Sequence, residues 1–167
     1  MTGLDKRDVM EAEADLGERL ISLHGVIARL RRECPWDRVQ THASLAPYAV
    51  DEVTELAEAL QVADDALSGD PHEMETAIED LVEELGDVLL QVLMNAAIGE
   101  QAGTFTLAEV LVAVEAKMLR RHPHVFERDP EAPEPTDAEL SAQWEAIKAV
   151  EREARASRIA AREVPRN

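Results

Sequence analysis

Apolar residues recur along most of the chain at spacings of three and four, the interval that places them on one face of an α-helix. Leu16, Leu20, Leu23, Ile27 and Leu30 form one such stripe and predict a first helix over about residues 6–32. The segment ECPWDRVQTHAS interrupts it and reads as a loop, because Pro35 does not fit a helix interior. A second helix is expected to begin near Ser44, with Pro47 tolerated in its first turn, and to fade in DDALSGD. Three later starts share a capping residue followed three positions on by Glu: Asp70 with Glu73, Thr106 with Glu109, and Thr136 with Glu139. They predict helices over about residues 71–101, 107–121 and 137–162. Gly103 occupies the position of a C-terminal glycine, and His122-Pro123 ends the fourth helix. RDPEAPEPT, at residues 128–136, is a stiff proline-rich linker. Strand alternation is lacking, so the expected class is all-α, a bundle of four to five helices.

Composition narrows the picture. The chain has 167 residues, enough for one domain with a core, and only 3% are aromatic, so Leu, Val, Ile and Ala must fill that core. A net charge of −18 argues against general binding to nucleic-acid backbone, which needs a cationic surface. One cysteine, Cys34, allows no intrachain disulfide and is read as a small buried residue. Neither an apolar signal core nor a run of transmembrane length is visible, so the expectation is a cytoplasmic protein with no membrane association.

The acidic residues are placed unevenly. In YAVDEVTELAEAL, Glu52 and Glu55 lie about 60° apart on a helical wheel, beside Val53, Leu56 and Leu60. In EELGDVLLQVL, Glu84 and Asp87 are related in the same way, and Asp80, Gln91 and Asn95 extend their line. The remaining faces between Val88 and Ile98 are almost wholly apolar, which predicts a helix buried on most sides. Two carboxylate pairs converging at the edge of a core are costly unless a cation fills the site. With oxygen ligands only, that cation is hard, Mg²⁺ or Mn²⁺, and Mg²⁺ commonly shares substrate phosphates. Other E-x-x-E and acidic spacings in so acidic a chain, such as Glu11 and Glu13 or Glu73 and Glu75, are read as solvated surface. Glu58, Glu79 and Glu83 point further round their helices and are placed there too.

These residues bring the sequence to a family. The chain resembles the MazG-type nucleoside triphosphate pyrophosphohydrolases of the all-α NTP pyrophosphatase superfamily. Their E-E-x-x-E and E-x-x-D motif reads here as Asp51-Glu52-x-x-Glu55 and Glu84-x-x-Asp87. CPWDRVQTHASLAPY, EELGDVLLQVL, KMLRRHPHVF and QWEAIKAVERE extend the resemblance over about residues 23–150, within a single domain expected to occupy 1–167. Asp51 stands where the family has Glu, one methylene shorter, which places it at the edge of the metal site. The resemblance implies Mg²⁺ held by helix carboxylates, nucleoside triphosphates as substrates, and a homodimer or higher oligomer. The excess apolar surface of the third helix agrees with the oligomer.

KMLRRHPHVF gathers Lys117, Arg120, Arg121, His122 and His124 in an otherwise acidic chain. A triphosphate needs cations beyond its metals, so Lys117 and an arginine are candidate phosphate ligands; His122 beside Pro123 is equally suited to cap its helix. In the CPWD loop, Trp36, Asp37 and Gln40 offer a flat face and polar edges for a base, or Trp36 plugs the end of the bundle. Trp144 and Lys148 share a face of the last helix and either cover a site or pack on the bundle. The expected reaction is hydrolysis to nucleoside monophosphate and pyrophosphate, with Glu52 or Glu55 accepting the proton of the attacking water. The G-x-x-x-x-G-K-[ST] pattern is missing, which excludes an ordinary P-loop. A di-iron or di-manganese bundle is disfavoured because no His follows a Glu by three positions. A non-catalytic helical interaction protein is the remaining alternative.

Overall fold

The computed structural model describes residues 6–163 apart from 68, 130 and 132, with side chains described from residue 15 to residue 161. Glu11 and Glu13 therefore lie outside the described side chains. Six helices follow in order: α1 (Lys6–Glu33), α2 (His42–Ala66), α3 (Pro71–Ala102), α4 (Leu107–Arg121), a single turn α5 (Pro123–Phe126) and α6 (Asp137–Glu163). A 3₁₀ turn, Asp37–Val39, lies between α1 and α2. Among the described residues there is no strand.

Local chemistry explains the boundaries. Thr41 caps α2 in a reciprocal box with Ser44, each side chain taking the other's backbone N–H, so the helix starts two residues before Ser44. Asp70 accepts from the backbone of His72, with Pro71 at the first helical position of α3. Thr106 with Glu109, and Thr136 with Glu139, form the two reciprocal boxes expected of them. Gly103 ends α3 at φ 65°, the left-handed conformation that glycine adopts without steric cost. Just before it, a Cβ at Gly99 would lie 2.6 Å from the ring of Phe105, so only glycine lets the returning chain approach so closely.

Two compact units divide the chain at Val110. In the first, α2 packs along α3, and α1 packs on α3 and on the 3₁₀ turn. Its buried cluster is Ile27, Leu45, Leu93, Met94, Ala96, Ala97 and Leu107, gathered towards the C-terminal end of α3. The predicted α1 stripe is only partly buried: Ile27 is enclosed and Leu20 packs against the cluster, but Leu16 is 67% exposed. Arg31, not Leu30, continues the buried line; its guanidinium donates to the carbonyls of Asp37 and Gln40 and to Oε1 of Gln101. The turn is further pinned where Glu100 accepts from the backbone of Leu107 and pairs with His24 at 2.9 Å. Those contacts, the Leu107 N–H first, hold the Glu100 carboxyl below its usual range.

Burial of α3 on most sides is met over residues 93–99, where Leu93, Met94, Ala96, Ala97 and Gly99 are enclosed, but not over the turns before them. Leu89 and Val92 are each 42% exposed, and Val53 and Leu60 beside the acid pair of α2 are exposed too. Over residues 82–92 neighbours cover only part of α3, and Val82, Leu85, Leu89 and Val92 stay open. Cys34, expected to be buried, is half-buried.

In the second unit α6 is tied to the end of α4 through side chains. Glu151 receives Arg120 and Arg121, each at 2.5 Å. The Arg121 guanidinium lies 5.0 Å from the Trp144 ring centroid. No described helix is long and apolar enough to cross a membrane.

Candidate metal centre

The α2–α3 pairing places two helical faces opposite one another, and the acids at their margin meet. Glu52, Glu55 and Glu84 each offer a carboxylate oxygen, and these oxygens all lie within 4.8 Å of one another. Glu52 and Glu84 are half-buried; Glu55 is exposed. Asp87 is half-buried one turn on, close enough to add to the field at Glu84, whereas Asp51 points to solvent outside the trio.

The trio has the electrostatics of a cation site. Oε2 of Glu84 is screened from solvent and accepts no hydrogen bond from any described residue. Burial first, then the charges of Glu55, Asp87, Glu52 and Glu83, push the Glu84 carboxyl above its ordinary range. Further along α3, Oε1 of Gln91 is also enclosed without a donor. Orphaned acceptors crowded by like charge are unfavourable by themselves and favourable around a cation. Three carboxylates without sulfur or imidazole suit a hard divalent ion.

A cleft of about 280 Å³ opens beside the trio, walled by Glu55, Glu58, Asp80, Glu83 and Glu84 with Ala59, Val62 and Ala77. Glu58 and Glu83 are exposed, as their wheel positions required, and they also line the rim of this cleft. Asn95, at the far end of the α3 line, lies 2.7 Å from Nδ1 of His42.

The other candidates fall into two places. In the loop before α2, Trp36 is half-exposed and meets Tyr48 edge-on at 5.8 Å, so it does not plug the bundle. Gln40 is spent on the loop itself, donating to the carbonyl of Trp36 and accepting from the Ser44 hydroxyl. Asp37 contributes its carbonyl to Arg31. In the second unit, Lys148 lies 5.8 Å from the Trp144 ring, on the same ring that Arg121 approaches. His122 receives no phosphate-like role locally: its Nδ1 lies 2.7 Å from the Met118 carbonyl, a helix-capping contact. Lys117 is exposed and makes no ion pair among the described residues.

Among the described residues the protein is thus all-helical, with a carboxylate cluster on two paired helices that could hold a cation. The sequence profile of the MazG nucleotide pyrophosphohydrolase domain matches residues 40–126, and the chain belongs to that family. It is 39% identical over 145 residues to the nucleoside triphosphate pyrophosphohydrolase/pyrophosphatase MazG of Thermotoga maritima, covering 86% of this chain and 48% of that protein. It is 33% identical over 150 residues to the nucleoside triphosphate pyrophosphohydrolase of Escherichia coli K12, covering 90% of this chain and 51% of the relative. An uncharacterized Bacillus subtilis protein, YabN, is 41% identical over 133 residues, 78% of this chain and 24% of its own length. The chain therefore spans a quarter to about half of these relatives. A crystal structure of a mazG-related protein from Thermotoga maritima superimposes with a TM-score of 0.56 at 26% identity, covering 79% of this chain and 98% of that one.

Proposed function

We propose that this chain hydrolyses nucleoside triphosphates to nucleoside monophosphate and pyrophosphate with Mg²⁺, Mn²⁺ being the alternative ion, and that the activity serves nucleotide-pool house-cleaning. The observation that carries this reading is the carboxylate trio of Glu52, Glu55 and Glu84 with an enclosed, donorless oxygen on Glu84. Names of relatives support the substrate class. When bound, the divalent ion supplies Lewis acidity at the phosphate oxygens and lowers the pKa of water. Glu84, the most enclosed of the trio's oxygens, serves as a ligand, and Asp87 beside it completes the set. Glu52 or Glu55 accepts the proton of the attacking water, Glu55 being the more open to solvent. Asp51, exposed and a methylene shorter than Glu, acts at the margin.

Binding a triphosphate also needs cations on the protein. Lys117, Arg120, Arg121 and Lys148 fill that role in this reading, Lys117 making no ion pair among the described residues and the arginines oriented by Glu151. Trp36 and Trp144 offer flat faces to a base. A homodimer or larger assembly fits the exposed apolar faces of α2 and α3.

The test is pyrophosphate release from a panel of canonical and damaged nucleoside triphosphates, followed with a coupled pyrophosphatase, with and without Mg²⁺. Metal-dependent release with monophosphate as co-product is expected. Release of orthophosphate alone, or none with any nucleotide, overturns the reading and favours a non-catalytic interaction protein.

A further inference from the structure

The acidic chain gathers seven of its 17 lysines and arginines along one groove. A groove of about 570 Å³ between the end of α4 and the second half of α6 is lined from α4 by Lys117, Arg120 and Arg121. From α6 it is lined by Lys148, Arg152, Arg155 and Arg158, with Glu151 the one acid among the described lining residues, and Lys148 also lies 3.9 Å from Glu145. The α6 cations recur at spacings of four, three and three, which keeps them on one face. Arg152, Arg155 and Arg158 are exposed; Arg152 has a loose pair with Glu145 at 3.9 Å, and the other two have no carboxylate partner among the described residues. Favourable charge at a helix C-terminus acts only over the last turn, yet Lys148 and Arg152 lie three to four turns before Glu163.

We propose that this groove binds a linear inorganic polyphosphate chain. The row from Lys148 to Arg158 covers ten residues, about 15 Å of helix, more than three linked phosphates span. Its size therefore exceeds what the triphosphate reading of Lys117 and Lys148 requires. The lining offers no ring or amide; apart from the charged groups it holds Val150 and Ala154. A nucleic acid would find one ring nearby, Trp144, outside the lining and flanked by Arg121 and Lys148, but no row of rings for successive bases. The chain as a whole carries a net charge of −18 despite this groove, so its acidic remainder would also repel a long phosphodiester that overran it. A phosphoanhydride chain has no bases or sugars, is flexible, and carries a charge on every phosphorus, which matches closely spaced guanidiniums.

The experiment is titration of the full chain, without divalent cation so that the carboxylate centre cannot bridge to phosphate. The probes are long-chain inorganic polyphosphate, tripolyphosphate, and a single-stranded RNA with the same number of phosphates as the long chain. Long-chain polyphosphate is expected to bind saturably and tighter than either competitor. R155Q/R158Q, which touches no residue assigned to the triphosphate, should weaken it about tenfold or more and lower the salt slope by roughly 1.4. R155K/R158K should retain most of the binding. The proposal is overturned by the absence of saturable binding, by RNA or tripolyphosphate binding as tightly, or by unchanged affinity in R155Q/R158Q. It is also overturned if the lysine variant binds as weakly as the glutamine variant, since helix integrity and not charge would then explain the loss.

Discussion

At the scale of single residues, Glu84 is the group on which the proposed cation binding and stability oppose one another. Its folded-state pKa is raised by burial and by neighbouring carboxylates, so the folded molecule favours the protonated form. The contribution to stability is complete below the unfolded value near 4.5 and is lost as pH rises through the folded one. At neutral pH without metal, Glu84 is therefore a liability. Glu84→Gln should raise the metal-free melting temperature and abolish the rise that Mg²⁺ gives the parent. That rise corresponds to about 2.7 kcal/mol at a hundredfold excess over Kd, several degrees for a chain of this length. Scanning calorimetry with and without MgCl₂ checks both halves; a metal-induced shift that survives in the variant removes Glu84 from the ligand set. Glu52, Glu55 and Glu84 were legible as a group because wheel spacing ranks a residue against its own helix. Glu58, Asp80 and Glu83 form the cleft wall only because α2 lies along α3, a relation the wheel does not contain.

At the scale of elements, capping chemistry made most boundaries readable. The start of α2 was less so, since Ser44 fills the place usually taken by Glu or Gln in the box with Thr41. The single turn α5 after His122-Pro123 has too few residues for any periodicity. The tie between α4 and α6 was not legible, because Glu151 is one acid among many until Arg120 and Arg121 are seen to converge on it. Those two guanidiniums hold the Glu151 carboxyl down to about 2. A depressed pKa contributes stability above the unfolded value and loses it as pH falls towards the folded one. The attachment of α6 should accordingly weaken between about pH 4.5 and 2. Trp144 reports it through its contact with Arg121. With Trp36 replaced by Phe, Trp144 emission should show an acid transition in that window, and Glu151→Gln should remove the transition. An identical transition in the Gln variant would show that other contacts hold α6.

At the scale of the whole molecule, the all-α class followed from periodicity, but the depth of burial did not. Periodicity shows which face is apolar and not whether a neighbour covers it. Leu23 and Leu30 on α1, Val53 and Leu60 on α2, and Leu89 and Val92 on α3 all keep more than a third of their surface open. Apolar surface of this extent is normally covered in a stable assembly. Light scattering at micromolar concentration should return a dimer or larger particle, and a monomeric mass would leave these faces unexplained.

The uneven burial along α3 has a kinetic consequence. Leu93 and Ala96 are fully enclosed, whereas Val82, Leu85 and Leu89 are not. The segment carrying Glu84 therefore stands about 13 Å along the helix from the best-packed turn. Local opening costs least where few apolar contacts resist it. Before a cation arrives, backbone amides around Glu84 exchange with solvent deuterium by brief opening of that segment alone, while those near Leu93 wait for the whole unit to unfold. In the proposed centre, closing the carboxylates round an ion would hold that segment more firmly against α2 and draw the two exchange rates together. The proposed centre would thus tie down the stretch of α3 that apolar packing holds less firmly than the turns around Leu93.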